Sequence, residues 1–306
     1  MAVSKIVFPP CLNKGAVIGI TCPAGYMPIE KTEDCVRTLK EWGYHVVIGK
    51  TIGQQYNYFS GTDEQRLDEL QQMLNDPAID AILFGRGGYG ISRIIDKIDF
   101  RAFRKNPKWL IGFSDVTLLH THIHRQFHIA TMHAPMAGAF RDGGYKNQYI
   151  GSLHKALTGK KASYNSSVHE LNRKGKGEGQ LIGGNLTMLA HACGTSSGIQ
   201  TDGKILFIED TGEYLYNIDR MLIQLKRNSA LNKLAGFVVG GFDSMKDTTV
   251  PFGKTLEEII LDAINEFDYP VCFGFPVSHE TANVALKIGA TYRLIVSGKN
   301  VSLKEK

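Results

Sequence analysis

The first half of this chain alternates short, wholly apolar runs with amphipathic stretches of helical period, and that alternation leaves few folds open. Ala16-Val-Ile-Gly-Ile20 is too short for a helix and apolar throughout, so it reads as a buried strand. Glu30 to Trp42 has helical spacing and Gly43 stops it; His45-Val-Val-Ile48 is the next strand. Thr62 to Leu74 places Leu67, Leu70, Met73 and Leu74 on one helical face. Ala78 to Phe84, a glycine-rich turn opening a short helix, Trp109 to Phe113 and a helix from Val116 to Phe127 continue the series. Parallel strands need a crossover between them, usually a helix. The expectation is an α/β protein built on a mainly parallel sheet.

The pattern loosens between Gly143 and Gly179. A helix around Ile150 to Leu157 gives way there to Ser, Asn, Lys and Gly. Residues 151–178 are accordingly expected to link an N-terminal α/β domain (1–150) to a smaller C-terminal β/α domain (179–306). The second half has its own strands at Lys204–Ile208, Ala235–Val239 and Val271–Gly274. It has helices near Asn217–Arg227 and Thr255–Phe267, and a closing hairpin, Ala290–Val296 with Val301–Lys304.

Composition narrows the function. A net charge of +5 is spread along 306 residues, and its densest cluster, Arg173-Lys174-Gly175-Lys176, has no interleaved aromatics. That argues against a nucleic-acid partner and reads as a solvated linker. No apolar run reaches the ~18 residues of a membrane span, and Met1–Pro10 lacks the pattern of a secretory leader. Five scattered cysteines, never in C-x-x-C, read as free thiols of a reducing compartment, so the cytoplasm is the expected location.

Ser114 lies where the apolar run Trp109–Phe113 meets a helical pattern. A sharp strand-to-helix turn presents a nucleophile, although Val116 replaces the second glycine of a G-x-S-x-G elbow, and Ser-Asp is also ordinary helix-capping chemistry. Gly85-Arg-Gly-Gly-Tyr-Gly90 fits G-x-G-x-x-G after a strand. It can be read as a dinucleotide loop, with Asp115 as the acidic ribose partner, or as backbone amides forming one side of an oxyanion hole. Glu209 and Asp210 end one strand and His279 follows another, which supplies nucleophile, acid and base in the order Ser…Glu…His. His120, His124 and His128 share a helical face, but no carboxylate accompanies them, so they read as helix surface rather than a metal site. Cys193 has His191 nearby in sequence, in a segment where close neighbours do not face each other.

Six ordered motifs then coincide with one family. They are Pro23-Ala-Gly25, Gly85–Gly90, Gly112-Phe-Ser-Asp-Val-Thr-Leu118, Gly183-Gly-Asn-Leu-Thr187, Leu206-Phe-Ile-Glu-Asp210 with Asp219-Arg-Met-Leu222, and Gly274–His279 followed by Ile288-Gly289. Over nearly its whole length the chain resembles the LD-carboxypeptidases of serine-peptidase family S66, a family shared with microcin-C-immunity hydrolases. The resemblance implies a flavodoxin-like or glutamine-amidotransferase-like N-terminal sheet, a smaller C-terminal domain and an active site in the groove between them. It implies Ser114 as nucleophile, His279 as base and Glu209 as its carboxylate, with Asp210 and Glu213 as competitors for that last role. It also implies Gly88, in the Gly87-Gly88 turn, and Asp115 as oxyanion amides. Arg86 and Asn185 are the candidates for holding substrate. The family reads Gly-His-Glu where this chain has Ser278-His-Glu280. The implied partner is a muropeptide, without cofactor, metal, nucleic acid or membrane, and a homodimer is compatible with it.

Overall fold

The computed structural model describes residues 5–141 and 143–306. Part of the opening segment Met1–Pro10, residues 1–4, lies outside the described residues. The chain forms two compact units, residues 1–160 with 284–287 and residues 161–283 with 288–306.

The first unit holds the expected alternation. In order come β1 (Val17–Thr21), α1 (Glu33–Glu41), β2 (His45–Ile48), α2 (Asp63–Asn75) and β3 (Ala81–Phe84). Then follow α3 (Arg101–Lys105), β4 (Trp109–Gly112), α4 (Thr117–Phe127), β5 (Thr131–His133) and α5 (Gln148–Leu157). Local chemistry sets the boundaries. Thr62 and Gln65 form a reciprocal capping box at the start of α2, and Gly43, at φ +89°, ends the turn after α1. The inner strands β3 and β4 are buried at every position, as a sheet covered on both faces requires.

Strands β2, β1, β3, β4 and β5 lie side by side in that order, and the paired registers are parallel. This is the flavodoxin-like order, with its switch point between β1 and β3. The loops that carry Pro23–Gly25 and Gly85–Gly90 leave the carboxyl ends of those two strands, where such sheets bind ligands. Ile18, Ile20, Leu83, Ile111 and Met132 from the sheet bury against Cys35 and Leu39 of α1 and Leu153 of α5.

The second unit opens with β6 (Ser163–Ser166) and the long β7 (Gly175–Asn185), followed by α6 (Leu186–His191), β8 (Ile205–Thr211) and α7 (Leu215–Arg227). It continues with β9 (Gly236–Asp243), α8 (Leu256–Ile264) and β10 (Val271–Cys272). The chain then returns to the first unit, where β11 (Leu286–Ile288) pairs beside β5. It closes the second unit with β12 (Thr291–Val296) and β13 (Val301–Glu305).

The seven-stranded order is β10-β9-β8-β7-β12-β13-β6. Strand β7 joins two kinds of sheet. Its first half pairs antiparallel with β12 and its second half parallel with β8. Helices α6, α7 and α8 cover the parallel part through Leu186, Leu189, Ile218, Leu222, Ile259 and Ile260.

Two expectations need correction. Residues 151–178 are not a linker: α5 belongs to the first unit, while β6 and the start of β7 are sheet strands of the second. The segment is polar because its strands have alternating exposed positions, the pattern of an antiparallel sheet wetted on one face. The basic cluster in it is likewise not free solvated chain. Arg173 donates to the carbonyls of Ile264 (3.2 Å) and Phe267, and Gly175 and Lys176 begin β7.

Candidate active site

In the first unit, β4 ends at Gly112 and the chain turns through Phe113 into a single 3₁₀ turn, Ser114–Val116, before α4. Ser114 takes φ +62°. A left-handed serine costs about 1–3 kcal/mol and persists only where its surroundings enforce it. Here the neighbouring glycines leave the room that the turn needs. A Cβ on Gly87 would lie 2.8 Å from both Cβ and Oγ of Ser114 and 3.4 Å from the Asp115 nitrogen, so only glycine fits there. A Cβ on Gly112 would meet Val116 at 3.0 Å and Phe84 at 3.1 Å. The Gly87 carbonyl accepts from the Gly25 nitrogen at 3.0 Å, which ties the loop after β1 to the turn after β3.

The dinucleotide reading of that turn fails on its geometry. Ile91–Arg93 and Ile95–Lys97 are isolated 3₁₀ turns, so no helix N-terminus stands after the glycines to receive a pyrophosphate. Asp115, its supposed ribose partner, is buried and accepts from the Ile91 nitrogen at 2.9 Å. Arg86 is exposed beside the turn and donates to the Tyr26 carbonyl at 2.6 Å. The Tyr58 hydroxyl lies over Gly88, 2.7 Å from where a Cβ would stand.

The histidines of α4 are not surface groups. His120 is fully buried and His124 nearly so. His120 Nε2 sits 2.9 Å from the Gly112 carbonyl, and burial pushes its pKa down to about 4. A neutral imidazole donating to that carbonyl supports the strand end just before Ser114. The four-residue spacing suggests an exposed face, but α4 packs on more than one side. Cys193, half-buried, has its thiol pushed up by burial, the opposite of an activated nucleophile.

In the second unit, Glu209 and Asp210 sit at a register shift between β8 and β9. A bulge re-aims the side chains of consecutive residues. The two carboxylates then diverge in role. Asp210 Oδ1 accepts from Asn185 Nδ2 (2.9 Å) and the Thr211 nitrogen (2.8 Å); Oδ2 accepts from the Thr187 nitrogen and hydroxyl, each at 2.8 Å. All four bonds are structural. Glu213 accepts from Asn217 at 2.9 Å. Glu209 is fully buried, its Oε2 lies 2.6 Å from His279 Nδ1, and its Oε1 is buried without a hydrogen-bond partner among the described residues. Among the three carboxylates, the geometry joins Glu209 to the histidine.

A carboxylate only accepts, so Nδ1 carries the proton toward Glu209 and Nε2 is the basic nitrogen. Burial pulls the His279 pKa down, but the Glu209 hydrogen bond and charge, with Asp210 and Asp243 behind them, hold it above its ordinary value. Burial pushes the Glu209 carboxyl up, and His279 draws it partly back.

The loop that carries His279 lies along β9 because two glycines make room. A Cβ on Gly240 would sit 2.3 Å from the Val277 carbonyl, and one on Gly241 would sit 2.5 Å from Ser278 Cβ. Ser278 is not among the positive-φ residues, so the serine found where the family has glycine is accommodated without strain. Its hydroxyl donates to the Ala282 carbonyl and accepts from the Glu280 nitrogen, each at 3.1 Å. Asn185, expected to touch substrate, caps α6 through the Met188 nitrogen (3.2 Å) while it holds Asp210.

Sequence reasoning missed Arg66, which is fully buried on α2. Its Asp63 partner three residues earlier resembles a surface helix pair, and no local signal separates the two cases.

Known proteins show the same two-part pattern. The family profile described as LD-carboxypeptidase N-terminal domain matches residues 18–134, and that of the C-terminal domain matches residues 178–294. The chain is 36% identical over 287 residues to a probable murein peptide carboxypeptidase of Bacillus subtilis, covering 92% of this chain and 89% of the relative. It is 27% identical to the microcin C7 self-immunity protein of Escherichia coli, covering 88% and 87%. The crystal structure of a muramoyltetrapeptide carboxypeptidase from Oxalobacter formigenes superposes with a TM-score of 0.85 at 27% identity, covering 95% of this chain and 98% of that one.

Proposed function

Because this chain belongs to the LD-carboxypeptidase family in both of its domains, we propose that it is a serine carboxypeptidase that removes the terminal D-alanine from peptidoglycan tetrapeptides. The observation that carries this reading is the Glu209–His279 pair. A buried carboxylate 2.6 Å from a ring nitrogen orients a general base and stabilises the imidazolium it becomes.

Ser114 is the nucleophile. As its Oγ bonds to the scissile carbonyl carbon, the hydroxyl proton passes to His279 Nε2 and the carbonyl oxygen becomes an oxyanion. The amides of Gly88 and Asp115 are the donors for that oxyanion, a contribution of about 3–4 kcal/mol per donor where it has been measured. Collapse of the intermediate breaks the C–N bond, and His279 returns the proton to the departing D-alanine amine. Water, deprotonated by the same histidine, then releases the acyl group from Ser114. Arg86 is the candidate for the substrate's terminal carboxylate, since an exopeptidase needs a cation there and this one lies beside the oxyanion turn. Five free cysteines fit a reducing compartment, so we place the reaction in the cytoplasm.

Incubation with L-Ala-γ-D-Glu-L-Lys-D-Ala and with its diaminopimelate counterpart, followed by mass spectrometry, tests the reading. Release of D-alanine from either supports it. Release from neither, with cleavage of a peptidyl-nucleotide instead, favours the immunity-type activity that the likeness to the self-immunity protein raises.

A further inference from the structure

Ser114, with its left-handed backbone, packs closely against the glycine turn after β3, and that turn has no helix of its own to hold it. Its last peptide group, between Gly90 and Ile91, is gripped at both ends. The Gly90 carbonyl accepts from Arg66 Nη1 at 3.2 Å, and the Ile91 nitrogen donates to Asp115 Oδ2 at 2.9 Å. Arg66 has no exposed surface and Asp115 has 1%.

The guanidinium reaches further. Nη1 also donates to the Pro23 carbonyl at 2.5 Å, Nε donates to the Gly61 carbonyl at 3.3 Å, and Nη2 pairs with Asp63. The face of Phe59 lies 4.8 Å from its centre. One side chain thus joins the loop after β1, the start of α2 and the turn after β3. Asp115 belongs to the serine's own turn and closes the set. A Cβ on Gly90 would stand 2.7 Å from Arg66 Nη1, so glycine at that position is what admits the guanidinium.

A buried cation and a buried carboxylate are costly, and apolar residues of similar volume commonly stabilise a fold as well or better. A role in fold stability alone does not account for them. We propose that Arg66 and Asp115 are positioning residues that clamp the Gly90–Ile91 peptide, and through it fix the Gly87–Gly88 turn against Ser114 for oxyanion binding. The clamp rests on the reading of Ser114 as nucleophile. It acts on the reacting centre only through backbone, so its loss falls on the transition state rather than on substrate binding.

The test uses the full chain with Arg66→Lys, Arg66→Met, Asp115→Asn and Asp115→Leu. Each variant is checked for folding by circular dichroism and thermal unfolding. Two rates are read: tetrapeptide turnover, and covalent labelling of Ser114 by a fluorophosphonate, which needs the nucleophile and the oxyanion amides but no peptide. Asp115→Asn keeps an acceptor for the Ile91 nitrogen, so its loss in kcat should be about tenfold smaller than that of Asp115→Leu. Arg66→Lys, which cannot span three carbonyls, should lose about tenfold in both rates with KM unchanged. Folded Arg66→Met and Asp115→Leu should lose about a hundredfold.

Full rates in Arg66→Lys would overturn the clamp, as would a loss seen in KM alone or equal losses in Asp115→Asn and Asp115→Leu. The Lys and Asn variants decide the matter if the apolar ones fail to fold. If the wild type labels at Ser114 but cleaves no tetrapeptide, the substrate reading fails while the labelling rates still judge the clamp. If the wild type does not label at Ser114, both fall.

Discussion

The two halves of the proposed catalytic apparatus are held by different forces. On the first unit, Ser114 is fixed sterically: a positive φ, glycines at 87 and 112 where any Cβ would collide, and a backbone hydrogen bond from Gly25 to Gly87. On the second unit, His279 is fixed electrostatically by a buried carboxylate, with Asp210 and Asp243 adding negative charge. Steric fixing is nearly independent of pH and salt. Electrostatic fixing changes with every proton. A substitution on the first unit should therefore change the height of the rate, and one on the second should also change its dependence on pH.

The largest expected effect joins the halves. Ser114→Ala and His279→Ala should each lower kcat by about 10⁴- to 10⁶-fold, and the double variant should be little worse, because groups that act as one unit are not additive. Strictly additive losses in steady-state kinetics would mean that the two do not cooperate. Next comes Glu209→Gln, expected to lose about 10³- to 10⁴-fold in kcat while folding normally. Asp210→Asn should instead cost less than about tenfold in kcat. It should lower the thermal midpoint, because disturbing a buried hydrogen-bond set costs about 1–3 kcal/mol. If the two variants exchange these outcomes, the carboxylates have been assigned in the wrong order.

Gly87→Ala tests the steric half. Its methyl group would press on Ser114, and a loss of about a hundredfold in kcat is expected, with an unaltered pH profile. The smallest effect is the most diagnostic of charge. The base must be neutral and its pKa is raised, so kcat/KM should climb about tenfold per pH unit and level off only above the ordinary imidazole range. Asp243→Asn removes one of the charges that raises it, and should move that limb to lower pH. A limb that stays in place would remove Asp243 from the electrostatic half.

Much of this was readable from the chain. The βα alternation, the strand-end position of Ser114 and the placement of His279 after a strand depend on local pattern, and local pattern survives folding. The choice among Glu209, Asp210 and Glu213 did not, since three nearby carboxylates look alike until a bulge between β8 and β9 turns two of them apart. Arg66 was invisible for a related reason. A helical arginine beside an aspartate reads as solvated, and only the loops converging on α2 bury it. The histidines of α4 were misread because period alone does not tell how many sides of a helix are covered. The short helix expected after Gly90 became two 3₁₀ turns.

The return of the chain to the first unit has a consequence for synthesis. Strand β11 lies beside β5 in the first sheet, yet it is encoded after nearly all of the second unit. A ribosome adding about 5–20 residues per second delivers β5 many seconds before its neighbour. Throughout that interval the nascent first unit has an open strand edge at β5, the kind of surface on which other chains can pair. Completion of the sheet that carries Ser114 therefore waits for the segment just past His279. A message cut short after residue 160 would yield a sheet one strand short, and the cell should handle that product as a client of its chaperones.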